Sequence, residues 1–120
     1  MYEKQYIRSV CVDFAIRIVR LYKYLMEQKN EYVMSKQVLR SGTSIGANIS
    51  EAEMAQSTAD FIAKMHIALK EANETKYWLE LLQKTDYITI EQYDSMNKDL
   101  GRIIGIFVNV LKKTKAKGSI

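Results

Sequence analysis

The sequence predicts an all-α protein, an antiparallel up-down-up-down four-helix bundle. Three observations predict it. Apolar residues recur at steps of three and four through four successive stretches, the periodicity of amphipathic helix. The 120 residues contain no proline and only five glycines, so long helices can run uninterrupted. No stretch alternates with a period of two, and the breaks between the four stretches are short, which makes chain neighbours antiparallel.

The first helix is predicted over residues 4–29. Ile7, Cys11, Phe14, Ile18, Leu21, Tyr22 and Leu25 form its apolar stripe, and Arg8, Asp13, Arg17, Arg20 and Lys23 its polar side. Lys29-Asn30-Glu31 ends it, with an asparagine that tolerates the left-handed conformation.

Ser35 is the expected N-cap of the second helix, which runs to about Ala55. Its middle, LRSGTSIGANISEAE over residues 39–53, has an unusual contact stripe: Val38, Ser41, Gly42, Ile45, Asn48, Ile49 and Ala52. Large apolar residues alone would bury a helix. Small residues let another backbone come close, and a buried Ser or Asn without a partner costs about 1–3 kcal/mol. The stretch therefore reads as a seam against specified neighbours. Gly42 and Gly46 inside it each cost up to about 1 kcal/mol relative to Ala, and close helix approach is the expected return. Gln37, Arg40, Ser44 and Glu51 run along one edge.

Ser57, with Asp60 three residues on, caps the third helix. Its core stripe is Phe61, Met65, Ala68, Leu69, Ala72, Thr75 and Leu79. A second row of Ile67, Glu71, Glu74, Trp78 and Leu81/Leu82 calls for another burial surface, an oligomer contact. Thr89 and Gln92 form a capping box at the start of the fourth helix. Tyr93, Met96, Leu100, Ile103, Ile104, Phe107 and Leu111 supply its core. Residues 103–111 are apolar nearly all round, which again asks for burial on two sides, with Ile106 and Val110 facing a second copy. The bundle domain is expected over residues 1–114, followed by a basic flexible tail over 115–120.

Hydrophobic content of 48% and charged content of 27% are those of one soluble globular domain. The single Cys11 excludes an internal disulfide framework and fits a reducing compartment. The first ten residues mix Glu3, Lys4 and Arg8 and lack an apolar signal core, and no stretch approaches the ~18 apolar residues of a membrane span. The expected location is cytoplasmic, away from membranes. Of the net charge of +4, residues 1–33 contribute +2 and residues 89–120 contribute +3. The basic residues Arg17, Arg20, Lys23, Lys112, Lys113 and Lys115 are the candidates for contact with RNA or DNA. No aromatic-interleaved base-reading motif accompanies them, so such contact would be phosphate-dominated and sequence-tolerant.

Arg40-Ser41, Ser44-Ile45, Asn48-Ile49 and Glu51 in the second helix, followed by Ala68-Leu69-Lys70-Glu71-Ala72 in the third, resemble the four helix bundle protein family encoded in 23S rRNA intervening sequences, often labelled S23 ribosomal proteins. The likeness covers nearly the whole chain. Where the family commonly has Gly after the seam glutamate, this chain has Ala52. The resemblance implies a four-helix bundle assembled as a ring-shaped homopentamer. The family is similar to the accessory protein of diversity-generating retroelements, a basic pentamer that binds nucleic acid and a protein partner, a reverse transcriptase. No established role follows for the family itself.

Arg40, Ser44, Asn48, Glu51, Glu71 and Glu74 are expected to form an interhelical polar network, with Arg40 bridging to a third-helix carboxylate. An enzymatic alternative rests on Glu71-x-x-Glu74 and Glu91-x-x-Asp94, carboxylate pairs at the spacing used by all-helical Mg²⁺-dependent nucleotide pyrophosphohydrolases. Glu91 and Asp94, however, fall in a first helical turn, where acids are favoured anyway. A di-iron site needs Glu-x-x-His, and the lone His66 has Ala63 at that position. No cofactor or metal is expected, His66 reads as a surface residue, and Cys11 as core. The reading is a non-enzymatic homo-oligomer acting as an assembly or nucleic-acid-binding accessory module, with a pure scaffold as a third possibility.

Overall fold

The computed structural model describes residues 2–118, and the side chains of 4–117. It contains four α-helices: α1 (Tyr2–Glu27), α2 (Met34–Glu53), α3 (Thr58–Lys84) and α4 (Ile90–Gly118). Each helix packs on its neighbours in chain order, and α1 closes the bundle against α4 in the most loosely packed of the four seams. The result is a rod of 52 × 22 × 22 Å. Its length follows from α4, whose 29 residues span about 44 Å at 1.5 Å per residue.

Nearly every turn of each helix delivers a side chain to one axial core. Phe14, Ile18 and Leu25 of α1, Val38 and Ile45 of α2, Met65, Leu79 and Leu82 of α3, and Leu100, Ile103 and Phe107 of α4 are almost completely buried. Leu82 thus belongs to the core and not to the second row where its spacing allowed it. The two glycines of α2 are contact points for α1. A Cβ on Gly42 would fall 2.7 Å from Ile18 Cγ1, and one on Gly46 would fall 3.3 Å from Cys11 Cβ. The missing side chains set the α1–α2 separation.

The connections differ in part from expectation. Asn30 is left-handed (φ 53°), as its position suggested, and Asp86 does the same work (φ 68°) between α3 and α4. Ser35, however, is not an N-cap. Helix α2 begins at Met34, two residues before the start a Ser35 cap would set, its N-cap Val33 offers no side-chain bond, and Ser35 is buried. The cap is Glu31, whose carboxylate accepts from the amides of Val33 (3.3 Å), Met34 (3.1 Å) and Ser35 (2.7 Å). An ionised carboxylate on three amides that have no helical partner also meets the positive end of the helix dipole. The α3 cap is as expected, with Ser57 Oγ accepting from the Asp60 amide at 3.1 Å. The α4 capping box closes too: Gln92 Oε1 accepts from the Thr89 amide (2.8 Å) and Thr89 Oγ1 from the Gln92 amide (3.1 Å). Helix α4 continues to Gly118, so the described part of the expected tail is helical; Ser119 and Ile120 lie outside the described residues.

Candidate functional site

The α2–α3 seam carries the densest polar contacts. Arg40 reaches across it to both third-helix carboxylates, with Nη1 at 3.4 Å from Glu71 Oε1 and Nη2 bonded to Glu74. Trp78 Nε1 donates to Glu74 Oε2 at 3.1 Å. The Trp78 bond, and then Arg40, hold the Glu74 carboxyl below the usual carboxylate range. One layer deeper, Thr75 Oγ1 donates to its own helix at Glu71 O (2.8 Å) and lies 3.0 Å from Ser41 Oγ, with both residues fully buried. This hydroxyl pair is the fixed partner that a buried seam serine requires. The expected network did not include it, although both residues stood on apolar stripes.

The rest of that network is split up. Ser44 donates to Arg40 O (2.6 Å) and Asn48 to Ser44 O (2.8 Å), both within α2, which satisfies their polarity without crossing the seam. Glu51 accepts from Lys64 at 3.0 Å, a turn or more away from Arg40. Arg40 itself is 49% exposed, so the bridge is a surface pair and not a buried one.

The basic candidates fall into two groups. Arg17 is bound into the α1–α4 seam, where it donates to Asp99 Oδ2 (2.6 Å) and Ser95 Oγ (2.9 Å). Arg20 and Lys23 are exposed beside it. Lys112, Lys113 and Lys115 are exposed near the opposite end of the rod, where Lys115 Nζ lies 3.4 Å from His66 Nε2. Ser95 and Lys113 are 18 residues apart on α4, roughly 27 Å along the helix.

Of the residues expected at an oligomer contact, Ile67 is 41% exposed, while Trp78 and Ile106 are half-buried against the core. Beside Trp78, Tyr77 stands 58% exposed with its ring edge-on at 5.1 Å. Val110 lines a cleft of ≈ 200 Å³ at the end of the rod that holds the α1 N-terminus and the α4 C-terminus. Ile7, Ile49, Phe61 and Met65 complete its apolar wall, and Lys4, Glu53, Lys113 and Lys117 stand around its mouth.

The residues of the enzymatic alternative are not brought together. Glu71 and Glu74 are engaged by Arg40 in mid-α3, Glu91 is exposed in the first turn of α4 with Asp94 exposed just beyond it, and among the described residues no three His, Cys, Asp or Glu side chains gather as a metal-binding group. Burial pushes the Cys11 thiol up to about 12, so it stays a neutral core side chain. Among the described residues no helix is long and apolar enough to cross a membrane.

Residues 3–109 match the family described as 23S rRNA-intervening sequence protein. No curated protein matches the chain. A crystal structure of a protein of unknown function from the S23 ribosomal protein family of Bacteroides thetaiotaomicron is 58% identical, with a TM-score of 0.90 over 92% of this chain and 98% of that one.

Proposed function

This chain belongs to the 23S rRNA-intervening sequence protein family, and from its charge distribution we propose that it is a non-enzymatic homo-oligomer that binds RNA or DNA through phosphate contacts. The observation that carries the reading is the pairing of α1 with α4. The two segments that hold the positive excess, residues 1–33 and 89–120, are far apart in the chain, and their helices α1 and α4 lie side by side in the bundle. Arg20, Lys23, Lys112 and Lys113 are exposed there, and none of them is in an ion pair within the described residues. Two cationic groups some 27 Å apart suit a long polyanion better than a compact one. Arg17 supports this face indirectly, by tying α1 to α4 through Asp99. A pentamer, the assembly the resemblance implies, would repeat the face five times and convert weak contacts into avidity. The exposed Ile67 and Tyr77 and the half-buried Trp78 on α3 supply apolar surface for that assembly. A second protein is an allowed partner of the same ring, and the cytoplasm its expected location.

The test is solution mass by light scattering, with and without a short RNA, at low and moderate salt. The expected result is about five times the 13.9 kDa chain mass, rising with RNA at low salt and falling back as salt releases it. Combined Arg20→Glu and Lys113→Glu changes should abolish the rise and leave the oligomer intact. A pentamer indifferent to RNA at low salt would leave a pure scaffold, and a 13.9 kDa monomer would remove the assembly as well.

A further inference from the structure

The cleft at the α1 N-terminal end of the rod is built differently from the rest of the surface. Its wall is the end of the hydrophobic core itself: Ile7, Ile49 and Met65 are buried residues that the bundle leaves facing a concave space of ≈ 200 Å³. Phe61 and Val110 narrow it from α3 and α4. Its mouth carries three ammonium groups, Lys4, Lys113 and Lys117, and one carboxylate, Glu53. Glu53 is already 3.7 Å from Arg8 Nη1, while the three lysines form no ion pair among the described residues. An apolar recess under an excess of unpaired positive charge is complementary to one class of small molecule, an anion with a short apolar tail. A bare anion would leave the recess empty, and a neutral apolar molecule would leave the lysines unused.

We propose that this cleft binds a short aliphatic carboxylate, its chain against Ile7, Phe61, Met65 and Val110 and its head group among Lys4, Lys113 and Lys117. The recess limits the tail to a short chain. The site goes beyond nucleic-acid binding, although Lys113 serves both, and a bound carboxylate would compete with phosphate for it.

Isothermal titration calorimetry of the full-length protein with octanoate tests this, with acetate, 1-octanol, octylammonium and phosphatidylglycerol vesicles as controls. The expected result is saturable binding of one octanoate per chain, with each small control at least tenfold weaker. The Lys113→Glu/Lys117→Glu variant changes only exposed side chains and should lose octanoate at least tenfold with an unchanged circular dichroism spectrum. Val110→Glu, which puts a carboxylate in the wall, should do the same while leaving RNA-dependent mass increase in place. The proposal is overturned if acetate binds as well as octanoate, since the lysines would then act alone. It is overturned if octanol does, since charge would then play no part. Binding of vesicles without binding of octanoate, or no saturable binding at all, overturns it equally.

Discussion

Gly42 of α2 sits so close to Ile18 of α1 that a Cβ on the glycine would lie 2.7–2.8 Å from three carbons of the isoleucine side chain. Ile18 is completely buried, so it cannot swing out into solvent to make room. Gly42→Ala gains up to about 1 kcal/mol of helix propensity but forces an overpacked contact that costs roughly 1–3 kcal/mol. Net destabilisation of about 1–2 kcal/mol is expected in denaturant unfolding. Adding Ile18→Val should recover part of it, because one of the clashing carbons is removed. A stability gain in Gly42→Ala alone would show that the α1–α2 spacing is soft.

Glu31, and not Ser35, should control the start of α2. Glu31→Ala removes the acceptor from three amides and is expected to cost about 1–2 kcal/mol. Glu31→Gln keeps the shape but loses the charge at the helix terminus, and should cost about half as much. Hydrogen exchange of the Met34 and Ser35 amides is the local readout, accelerating in both variants. Protection unchanged from the parent chain would contradict the cap.

The Ser41–Thr75 pair predicts non-additivity. Thr75→Val leaves the Ser41 hydroxyl buried without its cross-seam partner, at about 1–3 kcal/mol. Ser41→Ala alone is milder, since Thr75 keeps its bond to Glu71 O. The double variant Ser41→Ala/Thr75→Val should be more stable than Thr75→Val, because no orphaned hydroxyl remains. A double-mutant cycle that sums to zero would show that the two hydroxyls do not interact.

Glu74 gives the α2–α3 seam a pH dependence. The Trp78 bond and Arg40 hold its folded-state carboxyl below the ordinary range, so the folded chain favours the ionised form. Its contribution is present above the ordinary carboxylate range and is lost as pH falls through the lowered folded value. Thermal unfolding followed from neutral pH downward should show Glu74→Gln less stable than the parent at pH 7, with the gap closing in acid. Because Arg40 is half exposed, Arg40→Ala should cost about 1 kcal/mol, not the 2–5 kcal/mol of a fully buried pair. A gap that widens in acid would reverse the assigned sign.

The number and order of the helices, the Ser57 and Thr89–Gln92 caps, most of the buried stripes and the use of Gly42 as a contact point are legible in the residues alone. All of these are local. A three-to-four periodicity or a three-residue cap is complete within one or two helical turns, and the physics that forms it acts at that range. The remaining contacts depend on the register between helices, which no single helix encodes. Arg17 reads as a free cation in its own helix, but Asp99 meets it from 82 residues away. Ser44 and Asn48 share an edge with Arg40, yet each bonds back within α2 while Arg40 alone crosses the seam. Leu82 reads as part of the second row of α3, but axial packing places it in the core. The two basic groups look equivalent in the chain and stand at opposite ends of the rod, because antiparallel helices carry the end of α4 to the start of α1. The same reversal opens the cleft, since Ile7, Ile49, Phe61 and Val110 converge only where four helix ends meet.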